Sequence, residues 1–371
     1  MSGPLSGSSL AARGDTLDPT RIPEPVPVQS AGEAVCVRAM VADLAANRPD
    51  PTVPVPVPTT ERSPLRVAAR HSVIRTANRG LAVADRVFGD RHPTGFGMLM
   101  YHRCCPSARG CDAATLNVPP HVFRCQLQGL LDRGVQFRSL PSVLADCAAG
   151  QPVARNTVVV TFDDGFACVA RHALPILREL NIPASVFVCT GLIDNAEAMP
   201  FDPWGIRMQG RVPAEAYRSV STREVDGLLD SGLVDVGAHT HSHADFRGRP
   251  DDLRDDLSRC VAALSLRWGI ERPTFAFPFG TPSLGFADDH LRTAARQAGV
   301  SCALSSECRV NVAADDPYHW GRFNVFEWDS AATIQARLHG WYSWMPRVWA
   351  RMRQCGHSLS GRSRIERGVS S

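Results

Sequence analysis

A chain of 371 residues, 44% of them hydrophobic, can build one large α/β domain with tails, or two small domains. Formal charge is nearly balanced at +3, and the 40 basic residues are all arginine, so Schiff-base chemistry and a phosphate-loop lysine are excluded. The arginines are spread along the chain instead of forming a stripe, which argues against nucleic-acid binding.

Residues 1–63 are rich in proline and alanine, as in "PDPTVPVPVPTTERSP"; proline at alternate positions breaks helices and removes donors, so a disordered extension is expected. Residues 64–94 carry apolar side chains at helical spacing and read as a helical lead-in. A larger domain spans 95–345, and a basic tail with "WARMRQ" near its start covers 346–371. The twelve cysteines form no CxxC pair, and several, such as Cys168 and Cys189, lie in apolar runs; they read as small buried hydrophobes in a reducing compartment. No basic start leads into an apolar core, and no run approaches the ~20 apolar residues of a membrane span. The expectation is a cytoplasmic chain without a transmembrane segment. Export and peripheral membrane association stay open, and the sequence does not reveal the oligomeric state.

Six short apolar runs recur from Gly95 onward: "GMLMYH", "TVVVTFDD", "ASVFVCT", "LVDVGAH", "TFAFPFG" and "VSCALSS". Between most of them lie stretches of helical periodicity, among them "HVFRCQLQGLLDRG", "STREVDGLLDSG" and "PDDLRDDLSRCVAALSLRWG", each ending at or near Gly or Asn. Alternation of strand and helix predicts parallel strands joined by right-handed crossovers, in a barrel or an open doubly wound sheet. In either, ligand groups gather at the carboxyl ends of the strands, where Asp163, Asp164, His239 and Pro278 fall.

Asp163 and Asp164 close the run "VVVTF" ahead of Gly165, which permits a sharp turn. Neighbours on a strand face opposite ways, but at a turning strand end both carboxylates can address one cavity. One could bind a cation while the other takes a proton. A helix cap accounts for one aspartate and has no use for two. "GAHTHSHADF" follows the run "LVDVGA" and places His239 and His243 four apart, a spacing that a helical turn would bring to one side. Imidazoles suit zinc and similar borderline cations.

"TFDDG" followed by "HTHSH" resembles the polysaccharide deacetylase family, the NodB-homology or carbohydrate esterase 4 group. "MLMYHR", "ASVFVCTG", "FAFPFG" and "GRFNV" occur in the family's order, so the likeness covers about residues 95–330. The resemblance implies a distorted (β/α)7-type barrel of the NodB-like α/β fold. It implies a divalent metal ion, most often Zn2+, on Asp164, His239 and His243, with Asp163 as general base. Pro278 and Phe279, in the segment from Phe277, would contact substrate and supply a backbone N–H to the oxyanion. His241 matches a variable position and is expected beside the ligands or facing solvent. The implied reaction is hydrolytic removal of N-acetyl groups from a polysaccharide or glycan precursor.

The chain departs from the family's pattern at two points. The family's third motif carries an arginine that steadies the catalytic aspartate, and "FAFPFG" has none; Arg322, at the end of a later strand in "GRFNV", is the better substitute than Arg272. The family's late histidine, the acid for the leaving amine, has no counterpart with the right surroundings, His319 and His339 being the nearest. The aromatics Trp341, Tyr342, Trp344 and Trp349 suit packing of a final helix, or stacking on sugar rings. Hydrolysis of another small amide or cyclic imide, and a non-catalytic carbohydrate-binding relic, are the alternative functions.

Overall fold

In the computed structural model, which describes residues 95–341 except 109 and 155, together with Gly80, Val83 and Asp85, all six apolar runs become strands. The strands are β1 (Gly97–Tyr101), β2 (Gln136–Phe137), β3 (Thr157–Phe162), β4 (Ala184–Val188), β5 (Val234–Ala238), β6 (Phe275–Ala276), β7 (Ala303–Leu304) and β8 (Phe323–Asn324). Every residue of β1, β3 and β4 is buried, as continuous apolar runs covered on both faces must be. The two-residue strands β2 and β8 carry no such run.

The helices are α1 (Pro120–Leu131), α2 (Leu140–Ala148), α3 (Leu174–Leu180), α4 (Pro203–Met208), α5 (Thr222–Leu229), α6 (Pro250–Trp268), α7 (Asp289–Gln297) and α8 (Ala331–Leu338). Five match the periodic stretches; α2, α4 and α8 do not. Ser221 and Glu224 form a capping box on α5, and α3 and α6 end on Asn181 and Gly269 in left-handed conformations.

All strand pairings are parallel, and the sheet runs β7-β6-β5-β4-β3-β1-β8, with β2 on the first residues of β3. Its two edges meet: Leu304 of β7 bridges Trp320, just ahead of β8, and the Ser305 N–H donates to the Trp320 carbonyl at 2.9 Å. The seven-strand path thus curls into a distorted barrel. Alternate strand residues divide between two cores. Met98, Val159, Phe187, Ala276, Leu304 and Trp320 pack in one, with Leu140 and Val143 of α2. Leu99, Tyr101, Val158, Val160, Val186 and Val236 pack in the other, with apolar residues of α1, α3, α5, α6 and α7.

The 1–63 extension, the end of the domain at 342–345 and the 346–371 tail lie outside the described residues, as do Tyr342, Trp344 and Trp349. Of the lead-in, Gly80, Val83 and Asp85 are described, and all three are helical. Trp341 is buried against the domain. No helix among the described residues is long and apolar enough to cross a membrane.

Candidate active site

The register of β1 against β3 sets the first half of the site. Tyr101 lies opposite Phe162, and the Asp163 N–H donates to the Tyr101 carbonyl at 2.9 Å, so His102 and Asp163 leave the sheet side by side. Asp164 and Gly165 then take left-handed conformations, φ 69° and 67°. That region is uncommon for any residue with a Cβ, and Asp tolerates it better than most. Two such residues in succession reverse the chain and let both carboxylates address one cavity. Gly165 has little alternative, since an added Cβ would sit 3.0 Å from Val188 Cγ1 in a strained backbone.

The second half follows β5. No helical turn joins His239 to His243: the segment is an irregular loop with Thr240 at φ 67° and His243 at φ 57°. Side chains supply the acceptors that helix carbonyls would have offered. Thr240 Oγ1 accepts the His243 N–H at 2.9 Å. Asp256 Oδ1, reaching in from α6, accepts the N–H groups of His241 (2.6 Å) and Ser242 (3.2 Å). His241 turns aside, its Nδ1 3.0 Å from Thr190 Oγ1.

These two loops bring Asp164, His239 and His243 together, one ligand atom of each lying within 4.8 Å of the others, and all three side chains are buried. Asp164 Oδ1 is 3.2 Å from His239 Nε2 and 3.3 Å from His243 Nε2. His239 Nδ1 contacts the Ala276 carbonyl at 2.8 Å. A carbonyl only accepts, so that nitrogen carries a hydrogen, and Nε2 meets a carboxylate oxygen, as a donor when it is protonated and as a bare lone pair when it is not. Two acceptors facing each other in a buried site need a proton or a cation between them. The donor set therefore fits a divalent metal ion.

Asp163 is held separately. Arg322, fully buried, grips both its oxygens, Nη1 to Oδ1 at 2.6 Å and Nη2 to Oδ2 at 2.8 Å, and also donates to Thr161 Oγ1 and the Ser305 carbonyl. Burial pushes the Asp163 carboxyl up, but Arg322, with His239, outweighs it and leaves the pKa below the usual carboxylate value. For Asp164 burial is likewise overcome, here by the hydrogen bonds of His239 and His243, and the pKa falls well below that value. Arg322 is not at the end of a strand as expected; it stands one residue before β8, in the stretch where β7 and β8 meet. A short strand at the seam leaves the preceding residue facing inward.

The rim is aromatic. Phe201 stacks on the His243 ring and Phe279 meets it edge-on. In the Phe277–Phe279 segment the Phe277 N–H is taken by the Leu304 carbonyl at 3.1 Å and Pro278 has none. Phe279, at φ 62°, holds the segment's N–H that has no acceptor among the described residues. Pro278 is buried beside it. Arg272 is exposed on the surface. Neither of the two nearest histidines reaches the carboxylates, in keeping with the lack of a counterpart in the sequence: His319 faces Asp289 at 3.6 Å, and His339 binds Asp85 at 2.7 Å, near the amino end of β1. His102, inside "MLMYHR", carries no spacing signal that marks it as functional. Burial lowers its pKa, opposed by the charges of Asp164 and Asp163. Phe201 stands in no periodic stretch, and Asp256 is a polar residue on the buried face of the periodic stretch that forms α6.

A curled parallel barrel that presents an Asp–His–His group and a clamped second carboxylate at its strand ends defines a hydrolase of the deacetylase fold. Residues 150–303 match the family model described as polysaccharide deacetylase. The chain is similar to the poly-beta-1,6-N-acetyl-D-glucosamine N-deacetylase of Staphylococcus epidermidis, 22% identical over 218 residues that cover 56% of this chain and 68% of that one. Among solved structures, IcaB from Ammonifex degensii aligns with TM-score 0.52 at 26% identity, over 66% of this chain and 97% of that one. The Streptococcus pyogenes deacetylase PplD, solved with acetate, aligns with TM-score 0.54 at 19% identity, over 66% and 99%. The family matched over residues 150–303 and the relatives named here are polysaccharide deacetylases, hydrolases of non-peptide carbon–nitrogen bonds.

Proposed function

We propose that this protein hydrolyses the N-acetyl groups of an N-acetylated glycan, with a glucosamine polymer as the first substrate class to test. The observation that carries the reading is the convergence of Asp164, His239 and His243 beside an aspartate gripped by a buried arginine. The similarity to a poly-beta-1,6-N-acetyl-D-glucosamine N-deacetylase supports the glycan class.

Asp164, His239 and His243 would hold the cation, and two imidazoles with one carboxylate suit Zn2+. A divalent ion there supplies Lewis acidity, polarising a carbonyl oxygen and acidifying water. Asp163, kept ionised by Arg322, accepts the proton of the attacking water as oxygen adds to the acetyl carbon. Arg322 keeps both Asp163 oxygens in one plane and leaves their outer lone pairs for that proton. The Phe279 N–H, next to Pro278, donates to the developing oxyanion. As the C–N bond breaks, the nitrogen needs a proton, and the one that Asp163 took from the water returns to it, with His102, beside Asp163 on the neighbouring strand, placed to relay it. Acetate and a free sugar amine result.

The test is metal content measured together with acetate release from β-1,6- and β-1,4-linked N-acetylglucosamine oligomers and from small amides. The wild-type chain is expected to hold one zinc and deacetylate a glycan, and His239→Ala to lose both. Acid release from the small amides alone would replace the glycan reading with a small-amide hydrolase.

A further inference from the structure

The two imidazoles of the Asp164–His239–His243 group are oriented by different means. His239 has the support usual for a metal-binding imidazole, an Nδ1–H bonded to a backbone carbonyl, here that of Ala276 at 2.8 Å. The Nδ1 of His243 is buried and has no hydrogen-bond partner on another residue among the described residues. Its ring lies flat against Phe201 instead, centroids 3.6 Å apart and planes 16° from parallel, while Phe279 abuts it at 5.0 Å and 72°. The last torsion of a histidine is broad, so a ring without a second hydrogen bond swings unless packing stops it.

We propose that Phe201 is a positioning residue for the metal site, its stacked ring doing for His243 what the Ala276 carbonyl does for His239. The inference rests on the reading of Asp164, His239 and His243 as metal ligands. The local construction supports it. Phe201 belongs to the long segment between β4 and α5, and the next residue, Asp202, caps α4 by accepting the Gly205 N–H at 2.9 Å. Asp202 also pairs with buried Arg103, which donates to the Ala216 carbonyl at 2.9 Å and the Thr115 carbonyl at 2.8 Å and lies 3.8 Å over the Phe166 ring. Arg103 directly follows His102, so the tether that holds Phe201 over His243 begins at the strand end beside Asp163. Phe201 itself is only half-buried, and shortening it opens a gap to solvent instead of a sealed core cavity.

The experiment titrates the chelator-stripped full chain with Zn2+ against a chromophoric chelator, and with Co2+ followed by its visible absorption. Phe201→Ala and Phe201→Leu are expected to bind zinc about 2- to 10-fold more weakly, the range that loss of one aromatic contact allows. Their cobalt bands should shift, Phe201→Tyr should restore both readings, and the unfolding midpoints of the metal-free proteins should match the parent. Wild-type zinc affinity and cobalt spectrum in both Phe201→Ala and Phe201→Leu would overturn the proposal and leave the metal site standing. Weaker binding that Phe201→Tyr does not repair, with a fall in the metal-free midpoint, would also overturn it, as a structural role. A parent chain that takes up no ion, or a His239→Ala variant that still binds one, would overturn the metal reading and this inference with it.

Discussion

Asp163 and Asp164 are adjacent and chemically identical, yet their surroundings separate them. One oxygen of Asp164 meets two imidazole nitrogens, whereas both oxygens of Asp163 meet a guanidinium. Asp163→Asn keeps the shape and removes the proton acceptor, so turnover should fall about 10²- to 10⁴-fold while bound metal is unchanged. Acetate release and metal content on one preparation check this. The same carboxylate makes stability depend on pH. Its folded pKa lies below the unfolded value of about 3.9, so the stabilisation is complete above that pH and is lost as pH falls through the folded value. Unfolding midpoints measured from pH 6 to pH 3 should drop for the parent and drop less for Asp163→Asn, whose amide does not titrate. At this scale the aspartate pair and both histidines were legible, because strand-terminal carboxylates and clustered imidazoles are rare in apolar texture. His102 was not, since its role depends on the register of β1 against β3, and a lone histidine carries no spacing.

Elements were legible wherever burial imposed a pattern. Strands buried on both faces announce themselves as apolar runs, and helices end on glycine or asparagine. The strands β2 and β8 are no shorter than β6 and β7 but each pairs a polar residue with a phenylalanine outside any apolar run, and the six-residue α4 is too short for a period to develop. The His239–His243 loop misled for a different reason: four-residue spacing suits a helical turn, but its N–H groups are answered by Thr240 and Asp256. Asp256 is thus the fastening by which α6 shapes the loop. Asp256→Ala strands the N–H groups of His241 and Ser242, each unsatisfied group costing about 1–3 kcal/mol when buried. A destabilisation of about 2–4 kcal/mol is expected in chemical denaturation, together with weaker zinc binding. Asp256→Asn retains one acceptor oxygen and should recover part of both losses. If Asp256→Ala matched the parent in both measurements, the loop would be held by something other than α6.

At the scale of the molecule, periodicity left barrel and open sheet equally possible, because both alternate strand and helix. The difference lies at the edges, where Leu304 and Trp320 bridge β7 to the lead into β8, and one bridge leaves no trace in a hydrophobic pattern. Only the family resemblance favoured the barrel. Closure matters to the site because its parts come from around the ring: Asp163 and Asp164 after β3, the histidines after β5, Phe279 after β6 and Arg322 at the seam. A cation on Asp164, His239 and His243 would link the ends of β3 and β5 across the intervening β4. The unfolded chain has no such preformed site, so binding free energy adds to folding free energy. Zinc at about 100 times its Kd should stabilise by about 2.7 kcal/mol. For a domain of this size each kcal/mol moves the midpoint about 2–4 °C, so the shift should be about 5–10 °C. Differential scanning calorimetry of the chelator-treated chain, before and after zinc is restored, measures it. His239→Ala should show no shift, whereas Asp163→Asn, which keeps all three ligands, should show it in full. An equal shift in all three proteins would place the stabilising ion elsewhere on the molecule and separate the barrel's stability from its site.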